Sequence, residues 1–266
     1  MAAYELFAAT TTDLFIANIK LKAEAYGWTI DFFGLYLTHN RLHLHNSAGS
    51  HFEIWYASAT TVNIRGCTGY SSSDTPLAQP GTSGTVAFMA SSYWHFIVIG
   101  KDSILIKSSY GSNYYIIQLG TIVDKIGVWS GGYCISTGNY QVDLWQGYSA
   151  GYSQVLINGA WSTLITTNGG GVSGVFESEL SAKMPCAYSG GILPVPMLIV
   201  QRDLTTSAYM HPIGYAPDIR CFRGGDVYES LIPITIDGES WLPFNRLELN
   251  GVTATSMADT LVRLAA

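Results

Sequence analysis

Charge is scarce in this chain. Of 266 residues, 13 are Lys or Arg and 19 are Asp or Glu, so only 12% are charged, about half the share usual in a globular domain. The basic residues are scattered and the formal net charge is -6. Phosphate recognition needs clustered Lys and Arg, so no direct nucleic-acid partner is expected. Long apolar runs are also missing. Mean hydropathy is +0.20, yet no stretch approaches the roughly 18 apolar residues of a membrane span, and no membrane partner is expected. No basic segment followed by an apolar core opens the sequence, which leaves a secretory signal without support. Cysteine is sparse: Cys67, Cys134, Cys186 and Cys221 lie far apart with no C-x-x-C pair. That spacing suits buried free thiols made in a reducing cytoplasm rather than a disulfide framework. No internal repeat of solenoid or propeller period is visible.

What the chain has instead is aromatic residues (13%), 28 glycines and many Ser and Thr. A neutral, hydroxyl-rich composition suits an all-β protein, and low charge with abundant Tyr and Trp suits surfaces that other proteins cover. Residues 91–129 carry the clearest pattern. Three runs rich in β-branched and aromatic residues, 95–99, 104–107 and 114–119, are separated by turn clusters at 100–103 and 108–113. This is a β-meander, and it has almost no side chain able to do chemistry. Lys101, Asp102 and Lys107 are its only charges before Asp124.

Around it, one amphipathic helix is predicted near the start. Thr11, Thr12 and Asp13 offer N-caps, Leu14, Phe15, Ile16, Ile19 and Ala23 recur at helical spacing, and Gly27 ends the run. Residues 28–37 read as extended. Residues 41–45 alternate, with Leu42 and Leu44 on one face and Arg41, His43 and His45 on the other. Phe52, Ile54 and Tyr56 alternate likewise beyond the hairpin turn 46–49, and 61–65 adds a strand. A polar loop is expected over 69–84. Strands are predicted at 142–146, 155–157 and 161–165, with the turn Asn158-Gly159 between the last two. A glycine-rich loop (168–174) and a short helix (175–183) follow. Pro194 and Pro196 reduce 192–200 to an edge strand at best. A final hairpin runs 234–244 through Asp237-Gly238. The expected fold is mainly β, an antiparallel sandwich or meander with an N-terminal α-helix. The expected organisation is a helix-plus-sheet domain over residues 1–140 with a second β-rich region, 141–266, packed on it, the alternative being one domain over the whole chain.

Motifs with chemical content are weak. Gly147-Tyr148-Ser149-Ala150-Gly151 matches G-x-S-x-G, with Glu177, Asp203 and His211 following in order. The nucleophile elbow needs a helix after it, however, and an Asn-Gly hairpin comes instead. Gly169-Gly170-Gly171-Val172-Ser173-Gly174 fits G-x-G-x-x-G, but Pro185 cuts short the helix a dinucleotide site requires. His39, His43, His45 and His51 make four of the six histidines. Two or three imidazoles there could hold Zn²⁺, but Glu53 is the sole carboxylate in view, and a solvent-facing hairpin edge is the expectation, with no metal. The carboxylate pairs Glu177/Glu179 and Asp237/Glu239 lack a partner base and read as solvated turns. No catalytic residue, cofactor or small-molecule substrate is expected.

Taken together, several segments resemble a group of tailed-bacteriophage virion proteins. Ala25-Tyr26-Gly27-Trp28-Thr29-Ile30 is similar to their short helix and "GWT" step, with Leu42-His43-Leu44-His45-Asn46 after it. Trp94-His95-Phe96-Ile97-Val98-Ile99, Ile116-Ile117-Gln118-Leu119-Gly120 and Gly131-Gly132 resemble a strand pair leading to an "LG" turn and a Gly-Gly step. Residues 226–244 resemble a closing hairpin. The four cysteines and the loop 168–183 depart from that pattern. The resemblance implies a non-enzymatic subunit of the neck, collar or tail that forms a symmetric ring with itself and other virion proteins. It would be made in the host bacterial cytoplasm and located in the virion. The contacts expected are Tyr110, Tyr114 and Tyr115 in the meander and Asn168, Gly169, Gly170 and Gly171 in the glycine-rich loop. A carbohydrate-binding, receptor-recognising tail module is the alternative, because seven Trp with many Tyr, Asn and Ser could line a sugar platform.

Overall fold

The computed structural model describes residues 3–72, 75–82, 85–89, 92–110, 113–127, 131–137, 153–157, 159–162, 165–167, 195–202, 210–222, 232–244 and 259–264. The chain opens with strand β1 (Ala3–Ala9), which no pattern in the sequence announced, and enters helix α1 (Thr12–Ala25). Thr11 is extended and its hydroxyl accepts the Leu14 N–H at 3.2 Å, satisfying one of the donors that a helix start leaves open. Gly27 ends the helix at φ +85, a left-handed conformation that a Cβ disfavours. Phe15, Ile16, Ile19 and Ala23 are buried as the periodicity predicts. Leu14 is not: it is 49% exposed, because the buried stripe is centred on its neighbours.

Strands β2 (Thr29–Tyr36), β3 (His39–His45), β4 (His51–Tyr56), β5 (Thr61–Cys67) and β6 (Val86–Met89) form a five-stranded antiparallel meander in chain order. β7 (Ser92–Ile99), β8 (Ser103–Tyr110), β9 (Asn113–Thr121) and β10 (Gly132–Thr137) continue as a second meander. β1 is added beside β7, while β11 (Ser153–Ile157) and β12 (Ala160–Ser162) extend the far side, giving seven strands. The two sheets and α1 enclose one core. From the five-stranded sheet come Leu42, Leu44, Phe52, Ile54, Val62, Ile64 and Phe88. Ile97, Ile99, Ile104, Ile106, Ile117, Leu119 and Cys134 come from the other sheet, and Phe15, Ile16 and Ile19 from the helix. At roughly 1.5–3 kcal/mol for each fully buried large aliphatic or Phe side chain, this cluster is the main source of stability.

Polar contacts fix how the layers sit. The Trp28 indole N–H donates to the Gly100 carbonyl at 2.7 Å, and Asn46 Nδ2 donates to the Asp102 carbonyl and to the Thr121 hydroxyl at 3.1 and 2.7 Å. The Trp161 ring of β12 packs against Gly66 of β5. A Cβ on Gly66 would stand 2.0 Å from the indole ring, so the close approach of the two sheets there requires glycine.

β13 (Ile165–Thr167), β14 (Val195–Arg202), β15 (Met210–Phe222), β16 (Ile234–Ile236), β17 (Glu239–Phe244) and β18 (Asp259–Arg263) form a third sheet in the order β13-β14-β15-β18-β17-β16. The seven-stranded sheet therefore ends at Ser162 and the third begins at Ile165. β15 meets the loop after β9 through paired backbone bonds between Val123 and Tyr215, each 2.9 Å. The fold is mainly β, built from antiparallel sheets with one N-terminal helix, as the composition predicts.

Several sequence-based expectations need correction. The predicted strand 161–165 is split between β12 and β13, which belong to different sheets. β14 is an interior strand, not an edge: β13 pairs with its Ile199, Val200 and Gln201, and β15 with its whole length. Pro196 sits next to a register shift, and among the described residues β13 does not extend alongside it, a position where a strand tolerates proline. The closing hairpin is as predicted, with Asp237 at φ 52 and Gly238 at φ 80, the paired positive φ values of a tight primed turn. The expected strand 142–146, the loop 168–174 and the helix 175–183 lie outside the described residues.

Candidate functional site

The side chains with chemistry gather on the outer face of the five-stranded sheet. Strand alternation puts Leu42, Leu44, Phe52 and Ile54 into the core, so Arg41, His43, His45, His51, Glu53, Arg65 and Cys67 project to the opposite side. The register aligns them in rows. His45 faces His51, which faces Cys67, while His43 faces Glu53, which faces Arg65. This face is not a solvated hairpin edge, as the sequence suggested. Arg41, His43 and Glu53 are fully buried and Arg65 nearly so. The Tyr70 ring, from the segment expected to be a polar loop, packs 4.9 Å from His43.

One end of the array is a buried ion cluster. Arg41 Nε donates to Glu53 Oε1 at 2.6 Å, and Arg65 donates to Oε2 from Nη2 at 3.1 Å. The two guanidinium groups also stack on aromatic rings, Arg41 over Phe32 and Arg65 over Trp55, each 4.9 Å from the centroid. Burial raises the Glu53 pKa while both arginines pull it down. Two buried guanidinium groups share one buried carboxylate across β3, β4 and β5, the arrangement of a structural tie.

The other end is a histidine cluster around Asp31, a carboxylate that spacing alone did not bring near the histidines. β2 and β3 change register between Ile30, opposite Leu44, and Phe32, opposite His43. Asp31 is the extra residue of a β-bulge, and a bulge turns neighbouring side chains toward the same side. Asp31 and Phe32 accordingly both reach the outer face. Asp31 Oδ2 lies 2.9 Å from His43 Nδ1, 2.9 Å from His45 Nδ1 and 3.5 Å from His51 Nδ1. His43 is fully buried, whereas the side chains of His45, His51 and Asp31 are 26%, 18% and 15% exposed. Desolvation lowers the His43 pKa from 6.5 to about 4 against the opposing pull of Asp31. It lowers that of His51 as well, helped by His45. Both shifts favour the neutral ring, the form in which an imidazole ligates a metal.

His39 is separate. It lies 3.0 Å from Asp13 Oδ2, and Asp13 Oδ1 accepts the Asn40 N–H at 2.6 Å. This pins the β2–β3 turn to the first turn of α1. In that turn Leu37 adopts φ 58 while remaining 81% exposed.

Of the expected contact residues, Tyr110, Tyr114 and Tyr115 stand where β8 turns into β9, with Tyr110 opposite Asn113, Ser109 opposite Tyr114 and Ser108 opposite Tyr115. Asn168, Gly169, Gly170 and Gly171 lie outside the described residues, as do Ser149, Glu177 and Asp203. Glu239 is ion-paired to Arg263 at 3.0 Å and lies 3.7 Å from Arg220, so it is not simply solvated. The aromatic platform suggested by the tryptophans does not include Trp28, Trp55 or Trp241, which are buried, or Trp161, which packs on the core. Cys67 and Cys134 are buried and free, and burial pushes both thiols up to about 12, which makes them poor nucleophiles. Among the described residues, no helix is long and apolar enough to cross a membrane. In comparisons with known proteins, the chain matches no family model and no curated protein.

Proposed function

We propose that this protein is a non-enzymatic structural subunit of a tailed-bacteriophage particle, one copy of a symmetric ring at the neck, collar or tail. The observation that carries the reading is the edge of the five-stranded sheet. Among the described residues no strand pairs with β2 on its outer side. Along and just beyond β2 the chain exposes Phe33 (41%), Leu35 (66%) and Leu37 (81%). An apolar edge strand is a template for pairing with another chain, and proteins that remain monomeric usually blunt such edges with charge, proline or bulges. The Asp31 bulge lies toward the other end of β2, and from Phe32 to Tyr36 the pairing with β3 keeps a regular register.

Leu37 sharpens the point. A bulky side chain at positive φ costs on the order of 1 kcal/mol, and an exposed one recovers little of that by burial within its own chain. The two-residue turn between Tyr36 and His39 sets that φ, and contact with a neighbouring subunit accounts for a leucine being exposed there. A heterologous contact between one subunit's edge and the next closes into a ring when its rotation closes. The low charge of the chain and its resemblance to tailed-phage virion proteins support the virion as the setting.

The test is native mass spectrometry of the purified chain and of the L35K/L37K variant. The reading predicts a closed oligomer for the parent and a shift to monomer for the variant, with the circular dichroism spectrum unchanged. A parent that stays monomeric at all accessible concentrations contradicts it.

A further inference from the structure

We propose that Asp31, His45 and His51 form a binding site for one divalent transition-metal ion of the Zn²⁺ class, with His43 as the residue that orients Asp31. This goes beyond the structural-subunit reading and does not depend on it. One ligand atom from each of the three residues falls within a sphere of mutual separation below 4.8 Å. The separations from Asp31 Oδ2 to His45 Nδ1 and His51 Nδ1 are 2.9 and 3.5 Å. With Zn–N and Zn–O bonds of about 2.0–2.1 Å, the ligand atoms of a tetrahedral site stand about 3.3 Å apart, and the two observed separations bracket that value.

The cluster explains itself poorly without an ion. Three imidazole nitrogens converge on a single carboxylate oxygen. His51 Nδ1 is buried and makes no hydrogen bond among the described residues, although its 3.5 Å approach aims it at that oxygen. A buried nitrogen left without a partner is costly, and a metal ion removes the cost by taking the lone pairs of His45 and His51 together with the Asp31 oxygen. Two imidazoles and one carboxylate suit Zn²⁺ and its transition-metal neighbours better than Ca²⁺ or Mg²⁺, which favour all-oxygen sites.

His43 has a different part. Its Nδ1 lies 2.9 Å from the same Asp31 oxygen, its side chain is fully buried, and its Nε2 has no hydrogen-bond partner among the described residues. A neutral ring donating from Nδ1 to Asp31 satisfies both observations. It holds the carboxylate in place, as outer-shell hydrogen bonds commonly do for metal ligands. Partial exposure of the three ligands leaves a fourth coordination position for water. The ion would join β2 to β3 and β4, since one ligand comes from each strand.

The test uses the untagged full chain, stripped with chelator and dialysed, then titrated with ZnCl₂ by calorimetry and with Co²⁺ by visible absorption. The expected result is saturation at one equivalent, with the intense Co²⁺ bands of a tetrahedral site. H45Q/H51Q should abolish saturable binding, D31N should weaken it by about 100-fold or more, and H43Q should weaken it by about ten-fold to 100-fold. H39Q, outside the cluster, should leave it unchanged. D31N is isosteric, and circular dichroism of each variant separates lost binding from lost folding. If H45Q/H51Q does not fold, D31N and H43Q with folded spectra decide the matter. No saturable binding by the parent, or binding that folded D31N retains in full, overturns the proposal.

Discussion

Asp31 occupies a β-bulge opposite His43, and its Oδ2 stands 2.9 Å from His43 Nδ1. That single register shift connects local backbone geometry to the chemistry of the outer face. It brings a carboxylate to a row of imidazoles and places Phe32 beneath the Arg41 guanidinium. Beyond the bulge, β2 runs on as an apolar edge that no strand among the described residues covers. The same strand thus carries the polar cluster at one end and the proposed contact surface at the other.

Stability of the chelator-treated protein should fall as the medium is acidified. The His43 pKa drops from 6.5 to about 4 on folding because burial disfavours the charged ring. Between those values the unfolded chain binds a proton that the native state does not. Stability is therefore full above pH 6.5 and is lost progressively as pH falls toward about 4, by on the order of 3 kcal/mol for this group. His51 shifts in the same direction. Urea midpoints measured from about pH 7 to about pH 4.5 check this. The H43N variant should lose distinctly less over that range, and an equal loss in parent and variant would count against His43 as the source.

Replacing Glu53 with Gln should destabilise the protein by about 3–5 kcal/mol, because two buried guanidinium groups would lose their shared carboxylate. Chemical denaturation gives the number directly. A loss below about 1 kcal/mol would mean that the arginines find water or other partners and that the buried cluster is not a tie.

Leu37→Asn should leave the monomer as stable as before or stabilise it by up to about 1 kcal/mol, since Asn adopts positive φ more readily than Leu. Self-association should weaken at the same time. Thermal unfolding paired with sedimentation velocity separates the two effects. A clear loss of monomer stability would show instead that the Leu37 side chain is packed within its own chain.

Gly66→Ala should cost about 1–3 kcal/mol by overpacking against the Trp161 ring. The double variant with Trp161→Leu should recover part of that loss, a coupling that residues in contact show and distant ones do not. Strictly additive losses would place Trp161 away from Gly66 in solution.

Much of the first 120 residues was legible in the sequence because its signals are local. The Thr11 cap, the Gly27 stop, the alternation of Leu42 and Leu44 with His43 and His45, and the turns between β7, β8 and β9 each act within a few residues. What stayed hidden depends on pairing. β1 reads as Ala-Tyr-Glu-Leu-Phe-Ala-Ala and becomes a strand only because β7 offers an edge. The Pro196 strand is interior because β13, a separate short segment, pairs with Ile199, Val200 and Gln201, a partnership with no local sign. Asp31 was missed as a neighbour of the histidines because a bulge leaves no periodic trace. Its one visible sign is an acidic residue between Ile30 and Phe32 in an otherwise apolar strand. Burial of the Arg41–His43–Glu53 face was also out of reach, since a polar alternating face ordinarily meets water and here meets Tyr70 of a distant segment.

The central claim, a structural subunit of a phage particle, is tested most directly by quantitative peptide mass spectrometry on purified particles from a lysate that produces this chain. The account predicts the chain in the particle at a fixed copy number equal to a small ring-like multiple. Its absence from particles that are otherwise complete would contradict the account.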